Sequence, residues 1–215
     1  AMTTSKVHYL TFDIGNVLCT VDTQPCLNTM SSLLNISVGE AEFFIKRFQK
    51  AHDLGYTSTS EEIKSKFGPV PQDIIDQVVE AWNKSIVPHT EMLDMLNDIK
   101  DKYRVKIALL SNIGIEHAEL INTKLDHNGF LTDVIRHFSC EVGARKPSML
   151  YYQSFLLQYP DAKGCLYVDD LAENIEAGHK MGFKSIQFDL TKPNADIAIA
   201  QLKSQIEFNC YGWHK

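Results

Sequence analysis

Asp13 ends a short apolar run, Val7-His8-Tyr9-Leu10-Thr11-Phe12, and opens a glycine-bearing turn, Asp13-Ile14-Gly15-Asn16-Val17-Leu18. A carboxylate at the carboxyl end of a buried strand stands where open α/β sheets bind ligands. It is also a residue type that forms covalent intermediates in phosphoryl transfer. Three later segments carry the groups such chemistry needs. Leu109-Leu110-Ser111-Asn112 ends an apolar run in a hydroxyl, and Gly143-Ala144-Arg145-Lys146-Pro147 is a loop bearing a lysine. Leu166-Tyr167-Val168-Asp169-Asp170 ends a third run in paired carboxylates.

Charge counting then requires a metal. Three carboxylates, Asp13, Asp169 and Asp170, face one ammonium, that of Lys146. A phosphate monoester brings a further charge of about −2. Such a cluster repels its substrate unless a divalent cation joins it. Hard oxygen donors suit Mg²⁺, which binds through one or two carboxylates, substrate phosphate and water.

The elements that must position these groups follow from periodicity. After the first strand, residues 20–88 read as helices with no convincing strand: 25–34, 40–51, 59–67 and 72–84. Phe43, Phe44, Ile45 and Phe48 form an apolar face on the second, expected to be cap core. Thr59 and Glu62 stand at capping-box spacing on the third. Ile74, Ile75, Val78, Val79 and Trp82 line one stripe of the fourth. Beyond residue 88 helices and short apolar strands alternate, with strands at 105–110, 134–138, 164–168 and 184–188 and a last helix at 195–203. That rhythm predicts an α/β fold, a parallel, doubly wound (Rossmann-like) core sheet covered on both faces. The expected layout is a core of residues 1–19 plus 88–215 with an all-helical cap at 20–87, placed to close over the site.

The totals narrow the partners. A chain of 215 residues, 44% hydrophobic and 22% charged, supports a good-sized core with a smaller insertion. The net charge of −6 argues against nucleic acid or an anionic membrane as partner, and no apolar run approaches membrane-spanning length. Five scattered cysteines lack zinc-site spacing, and no secretory signal precedes the first strand. The expectation is a cytoplasmic chain with reduced thiols.

Taken together and in order, the four motifs resemble those of the haloacid dehalogenase-like hydrolase superfamily, most of whose members are Mg²⁺-dependent phosphatases. The resemblance spans residues 7–188, and the insertion is placed like the helical cap of one subclass. It implies that Asp13 is the nucleophile that becomes phosphorylated. Ser111 hydrogen-bonds the transferring phosphoryl group, and Lys146 screens its charge and that of Asp13. Asp13, Asp169, Asp170 and the Gly15 carbonyl hold Mg²⁺, directly or through water. Asn16 and Asn112 border the substrate, and Asn174 supports the acidic loop. The implied substrate is a small phosphorylated metabolite of the sugar phosphate type.

One position departs from the usual pattern. Such phosphatases place a second Asp two residues after the nucleophile, where it protonates the leaving alcohol and then activates water. Here that position is Gly15. The run Phe12-Asp13-Ile14-Gly15-Asn16 resembles a subset similar to sugar-1-phosphate phosphatases. Glycine keeps the backbone carbonyl and deletes general acid–base help of about 10²–10⁴-fold. Asp22, His89 or a water are the candidate replacements.

Simpler structural roles compete at each position. Asp13 suits a turn, Ser111-Asn112 and Asp169-Asp170 suit helix caps, and Lys146 and Arg145 suit a solvated loop. Two alternatives to the phosphatase follow. Gly15 raises a catalytically weak or inactive chain that binds a phosphorylated ligand or protein partner. The Asp nucleophile raises carbon–halogen hydrolysis, against which the Asp169-Asp170 pair argues, because that reaction needs no Mg²⁺.

Overall fold

The computed structural model describes residues 7–215. The chain runs β1 (Tyr9–Phe12), β2 (Cys19–Val21), α1 (Gln24–Leu34), α2 (Val38–Asp53), α3 (Thr59–Phe67), α4 (Gln72–Lys84) and β3 (Ile86–Pro88). It continues through α5 (Thr90–Lys102), β4 (Lys106–Ser111), α6 (Ile115–Lys124), β5 (Ile135–Phe138), α7 (Ser139–Val142) and α8 (Met149–Gln158). A 3-10 turn at Pro160–Ala162 precedes β6 (Leu166–Asp169), α9 (Ala172–Lys180), β7 (Lys184–Gln187) and α10 (Ala195–Cys210).

Five strands form one parallel sheet in the order β5-β4-β1-β6-β7. The chain builds outward from β1 through β4 to β5, then returns to the other side for β6 and β7. The order therefore reverses between β1 and β6. A crevice opens at such a reversal, outside the carboxyl ends of the strands. Asp13 and Asp169-Asp170 follow the two strands that flank it.

Side-chain alternation along each strand feeds two apolar layers. Leu10, Phe12, Ile107, Leu109, Leu166 and Val168 enter one. Tyr9, Ala108, Leu110 and Tyr167 enter the other, with Tyr151, Tyr152 and Phe155 of α8. Burial on both faces explains why these strands read as apolar runs rather than as alternating ones.

Helices α1–α4 pack around a separate core that includes Cys26, Leu27, Met30, Phe44, Phe48, Ile63, Ile75 and Val78. An antiparallel ribbon of β2 and β3 carries the chain into and out of these helices, pairing Cys19 with Pro88 and Val21 with Ile86. The expectation of no strand in this stretch is corrected here. Three residues per strand are too few to show a two-residue period. Phe43 is also corrected: it is 68% exposed, while Phe44 and Phe48 are buried. The cap of α3 is Ser58, which accepts from the Glu61 N–H, one residue before the expected Thr59.

The last helix reaches Cys210 rather than residue 203, because Ile199, Leu202, Ile206 and Cys210 continue one buried stripe past polar Ser204 and Gln205. The tail packs back on the core, with the Trp213 ring 4.3 Å from that of His8 and His214 4.7 Å from Tyr103. No helix among the described residues is long and apolar enough to cross a membrane.

Candidate active site

The turn after β1 is held tightly enough to aim Asp13 into the crevice. The Asp13 N–H donates to the Val168 carbonyl at 2.9 Å, tying the end of β1 to β6. The Ile14 carbonyl accepts from Leu18 at 2.8 Å and Cys19 at 3.0 Å, closing the turn. Asn16 sits at φ 61°, a left-handed conformation that asparagine tolerates better than most residues. Its amide donates to Asp170 Oδ2 at 3.3 Å. Gly15 has no such left-handed requirement. A Cβ added there would meet only Val21 Cγ2, at 3.6 Å, an ordinary contact.

Lys146 arrives from the loop after α7 and is 2% exposed. Its ammonium donates to Leu110 O at 2.7 Å, Asp169 Oδ2 at 2.8 Å and Asp13 Oδ1 at 3.0 Å. That uses its three hydrogens. Burial alone would push Lys146 down, but Asp13 and Asp169 hold it above the ordinary lysine range.

Asp169 is wholly buried and almost saturated with donors. Oδ1 accepts from the Leu171 N–H at 3.0 Å and the Asn174 amide at 3.2 Å. Oδ2 accepts from the Tyr167 hydroxyl at 2.6 Å as well as from Lys146. Burial opposes its ionisation, yet Lys146 and these donors keep it below the ordinary carboxylate range. Asn174 is thus placed beneath the acidic loop as a support.

Asp13 has fewer partners. Burial pushes it up to about 8, against the pull of Lys146 and with the charge of Asp169 adding to the rise. Burial raises Asp170 too, and the neighbouring charge of Asp169 adds to that rise. One carboxylate oxygen from each of Asp13, Asp169 and Asp170 lies within 4.8 Å of the others. Three hard oxygen donors at that spacing, with more negative than positive charge, fit a divalent cation.

Ser111 ends β4 and is 5% exposed, its hydroxyl making only a long 3.5 Å contact to Asn112 O. Asn112 is tied to the backbone of Lys146 by two hydrogen bonds, leaving one amide hydrogen for a ligand. Arg145 turns away to pair with Asp53 of α2 at 3.2 Å. The two proposed acid substitutes are helix-start acceptors: Asp22 takes the Gln24 N–H at 3.2 Å, and His89 takes the Met92 N–H at 3.3 Å. Gly114 rather than Ser111-Asn112 caps α6.

Two residues here escaped sequence reasoning. Tyr167 stands two before Asp169 on the same strand, so the two-residue period puts both on one face; that signal was readable. Ser139 was not. Its hydroxyl accepts from the Ile113 N–H at 2.9 Å and donates to Asp53 O at 2.5 Å, joining the loop after β4 to α2.

No family model matches the chain, and no curated protein matches it in sequence. Solved structures do match in fold. A HAD family enzyme from Bacteroides thetaiotaomicron, solved with magnesium and inorganic phosphate, aligns at 21% identity with a TM-score of 0.74, covering 89% of this chain and 98% of its own. A predicted HAD-like family hydrolase from Porphyromonas gingivalis aligns at 17% identity and TM-score 0.71, covering 92% and 98%. The L-2-haloacid dehalogenase of Xanthobacter autotrophicus aligns at 18% identity and TM-score 0.56, covering 94% and 88%.

Proposed function

We propose that this chain, which has the haloacid dehalogenase-like hydrolase fold, is a Mg²⁺-dependent phosphatase of small phosphate monoesters that works through an aspartyl-phosphate on Asp13. The observation that carries this reading is the Lys146 ammonium, bridging Asp13 and Asp169 at the sheet's reversal point with Asp170 beside them. The magnesium and phosphate bound by the Bacteroides relative support it.

Asp13, Asp170 and the Gly15 carbonyl are the groups that would hold Mg²⁺, with Asp169 reaching it through water because its own oxygens are already engaged. Bound there, Mg²⁺ would neutralise phosphoryl charge and keep Asp13 ionised. The Asp13 carboxylate attacks phosphorus, the phosphorus–oxygen bond to the alcohol breaks, and the leaving oxygen takes its proton from water. Water then attacks the aspartyl-phosphate and frees inorganic phosphate. Lys146 holds Asp13 in line and offsets charge on the phosphoryl oxygens, while the Ser111 hydroxyl donates to one of them. Asp169 does not react; it fixes the ammonium of Lys146.

The test is hydrolysis of para-nitrophenyl phosphate with Mg²⁺. Turnover by the wild-type chain that vanishes in Asp13→Asn supports the reading; equal rates in the two count against it. Gly15 favours a second reading, a chain that binds a phosphorylated ligand without hydrolysing it. Calorimetry that finds Mg²⁺ and phosphate bound, with no turnover of any ester, would support that reading instead. Release of halide from a 2-haloacid that survives a chelator would reopen carbon–halogen hydrolysis.

A further inference from the structure

Helix α2 is lined on two sides. Ile45 and Gln49 border a cavity shared with Asn112 of the loop after β4, whereas Gly39, Phe43 and Arg47 border a groove of about 800 Å³ between α2 and α3. The groove has an apolar floor that includes Ile36, Phe44 and Phe67, with the Phe44 and Phe67 rings edge to face at 5.3 Å. Phe43 stands beside this floor with 68% of its surface exposed. It takes no part in the core that holds α1–α4 together, to which Phe44 and Phe48 belong.

A single exposed aromatic ring is ordinary on a protein surface. What sets this one apart is its flanks. Glu40 and Arg47 are exposed one turn to either side of Phe43, on the same face of the helix. Neither has an ion-pair partner among the described residues, although Glu42 and Lys46 of the same helix pair at 2.9 Å. Glu40 and Arg47 cannot serve each other, because seven residues of helix separate them by about 10 Å along the axis.

Their positions are self-complementary. Glu40 lies three residues before Phe43 and Arg47 four after, or about 4.5 Å and 6 Å along the axis. Lay two copies of α2 antiparallel with a twofold axis through Phe43. Glu40 of each then comes level with Arg47 of the other to within about 1.5 Å, and the contact occurs twice. The two Phe43 rings meet at the axis. Gly39, level with the same arginine, has no side chain to obstruct it. The charges that line the groove, Glu40 and Glu62 against Arg47 and Lys66, are equal in number and opposite in sign. A nucleic acid or a peptide of one charge finds no field of one sign there. A second copy presents both signs in reverse order.

We infer that α2 and its groove are the interface of a symmetric dimer, in which the Phe43 rings pack at the twofold axis and Glu40 of each copy pairs with Arg47 of the other. The interface uses none of the residues assigned to phosphoryl transfer, so it stands whether or not the chain is a phosphatase. One helix pair with its groove walls falls at the small end of specific interfaces, and the dimer should exchange with monomer at micromolar concentration.

Sedimentation equilibrium of the full chain, from about 1 to 300 µM, measures the dimer Kd. Phe43→Ser should raise it by about tenfold or more. Glu40→Arg and Arg47→Glu each set like charges opposite one another twice, so each should weaken the dimer by a similar factor at low salt. Their effect should shrink in about 1 M NaCl, where the screening length is about 3 Å, while that of Phe43→Ser persists. Combining Glu40→Arg with Arg47→Glu restores opposite charges and should bring Kd back to within about threefold of wild type. All three side chains are exposed, and urea unfolding checks that each variant is folded. A wild-type chain that stays monomeric throughout overturns the inference, as does a dimer unchanged by Phe43→Ser. A double variant as weak as either single one overturns the antiparallel pairing.

Discussion

Asn112 grips Lys146 by its backbone from both sides: its Nδ2 donates to the Lys146 carbonyl at 2.9 Å and its Oδ1 accepts the Lys146 N–H at 2.7 Å. The residues are 34 apart in sequence, and the clamp joins the end of β4 to the loop after α7. It fixes where the lysine stem starts. Leu110, Asp13 and Asp169 then fix where its ammonium ends. Lys146 is positioned at both ends before any substrate arrives, as preorganised charge stabilisation requires.

Asn112→Ala removes both bonds and strands a backbone N–H and C=O in a buried loop. The expected loss of stability is about 1–3 kcal/mol, read from urea unfolding. The ammonium should also drift. A displacement near 1 Å at a catalytic group costs on the order of 10²-fold in rate. An Asn112→Ala protein with wild-type kcat would show that the ammonium is held by its carboxylate partners alone.

The acidic cluster predicts how stability follows pH. Asp13 has an ordinary value of 3.8 and a folded value of about 8. A group raised on folding contributes stability that is full below the lower value and is lost as pH climbs through the upper one. Burial raises Asp170 as well, so it acts in the same direction. Asp169 is lowered instead, so its contribution is complete above the ordinary carboxylate value and declines only in acid, outside this window. Burial lowers His117 from 6.5 to about 3 and lowers His137 as well, so below pH 6.5 these two add stability as pH rises and offset Asp13. The metal-free protein should therefore lose Tm between about pH 6.5 and pH 8. Mg²⁺ would bind the ionised form of Asp13, so it should raise Tm more at pH 8 than at pH 5 and release protons on binding below pH 8. Calorimetry in buffers of differing ionisation enthalpy measures that release. A Tm that does not change over this range, with or without Mg²⁺, would contradict the assignment.

Tyr167→Phe tests whether Asp169 is an anchor rather than a reactant. The substitution removes a 2.6 Å hydrogen bond to a wholly buried carboxylate and leaves the ring in its apolar layer. A bond to a charged group is worth about 1.5–3 kcal/mol, and that is the expected destabilisation. Lys146, Asn174 and the Leu171 N–H still hold Asp169, so kcat should fall by less than tenfold. A far larger fall in kcat with unchanged stability would give the Tyr167 hydroxyl a direct part in the reaction.

What could be read from sequence divides along physical lines. The sheet strands were readable because burial on both faces makes them continuous apolar runs ended by polar residues, as at Phe12-Asp13 and Val168-Asp169. Their order placed Asp13, Ser111, Lys146, Asp169 and Asp170 at one edge without any knowledge of side-chain contacts. The β2–β3 ribbon was hidden because a three-residue strand has no period to detect. A cavity of about 290 Å³ between the inserted helices and the loop after β4 was hidden for a different reason. Its walls come from α1, α2, α4 and the β4 loop, and its character depends on which side chains of each helix are turned toward the others. Phe48 and Phe43 belong to one helix and one apolar cluster in sequence, yet Phe48 lines the cavity and Phe43 lies 68% exposed.

Gly15 gives the sharpest prediction, because the structure shows that glycine is not needed there for the backbone. Its φ is not left-handed, and an added Cβ finds only Val21 Cγ2 at 3.6 Å. An aspartate should therefore be accepted with little loss of stability. Asp22 and His89 each already accept a helix N–H, through Oδ1 and Nδ1. Without an enzyme acid the departing oxygen must leave largely unprotonated, so wild-type rates should fall steeply as leaving-group pKa rises: aryl and acyl phosphates fast, simple alkyl phosphates slow. Gly15→Asp adds a carboxyl group beside the leaving oxygen. It should raise kcat for alkyl phosphates by up to about 10²–10⁴-fold, change aryl phosphates much less, and flatten the dependence on leaving-group pKa. The measurement is kcat across a series of esters for both proteins. If the wild-type series is already flat, another group on this chain protonates the leaving oxygen, and Gly15→Asp should then add nothing.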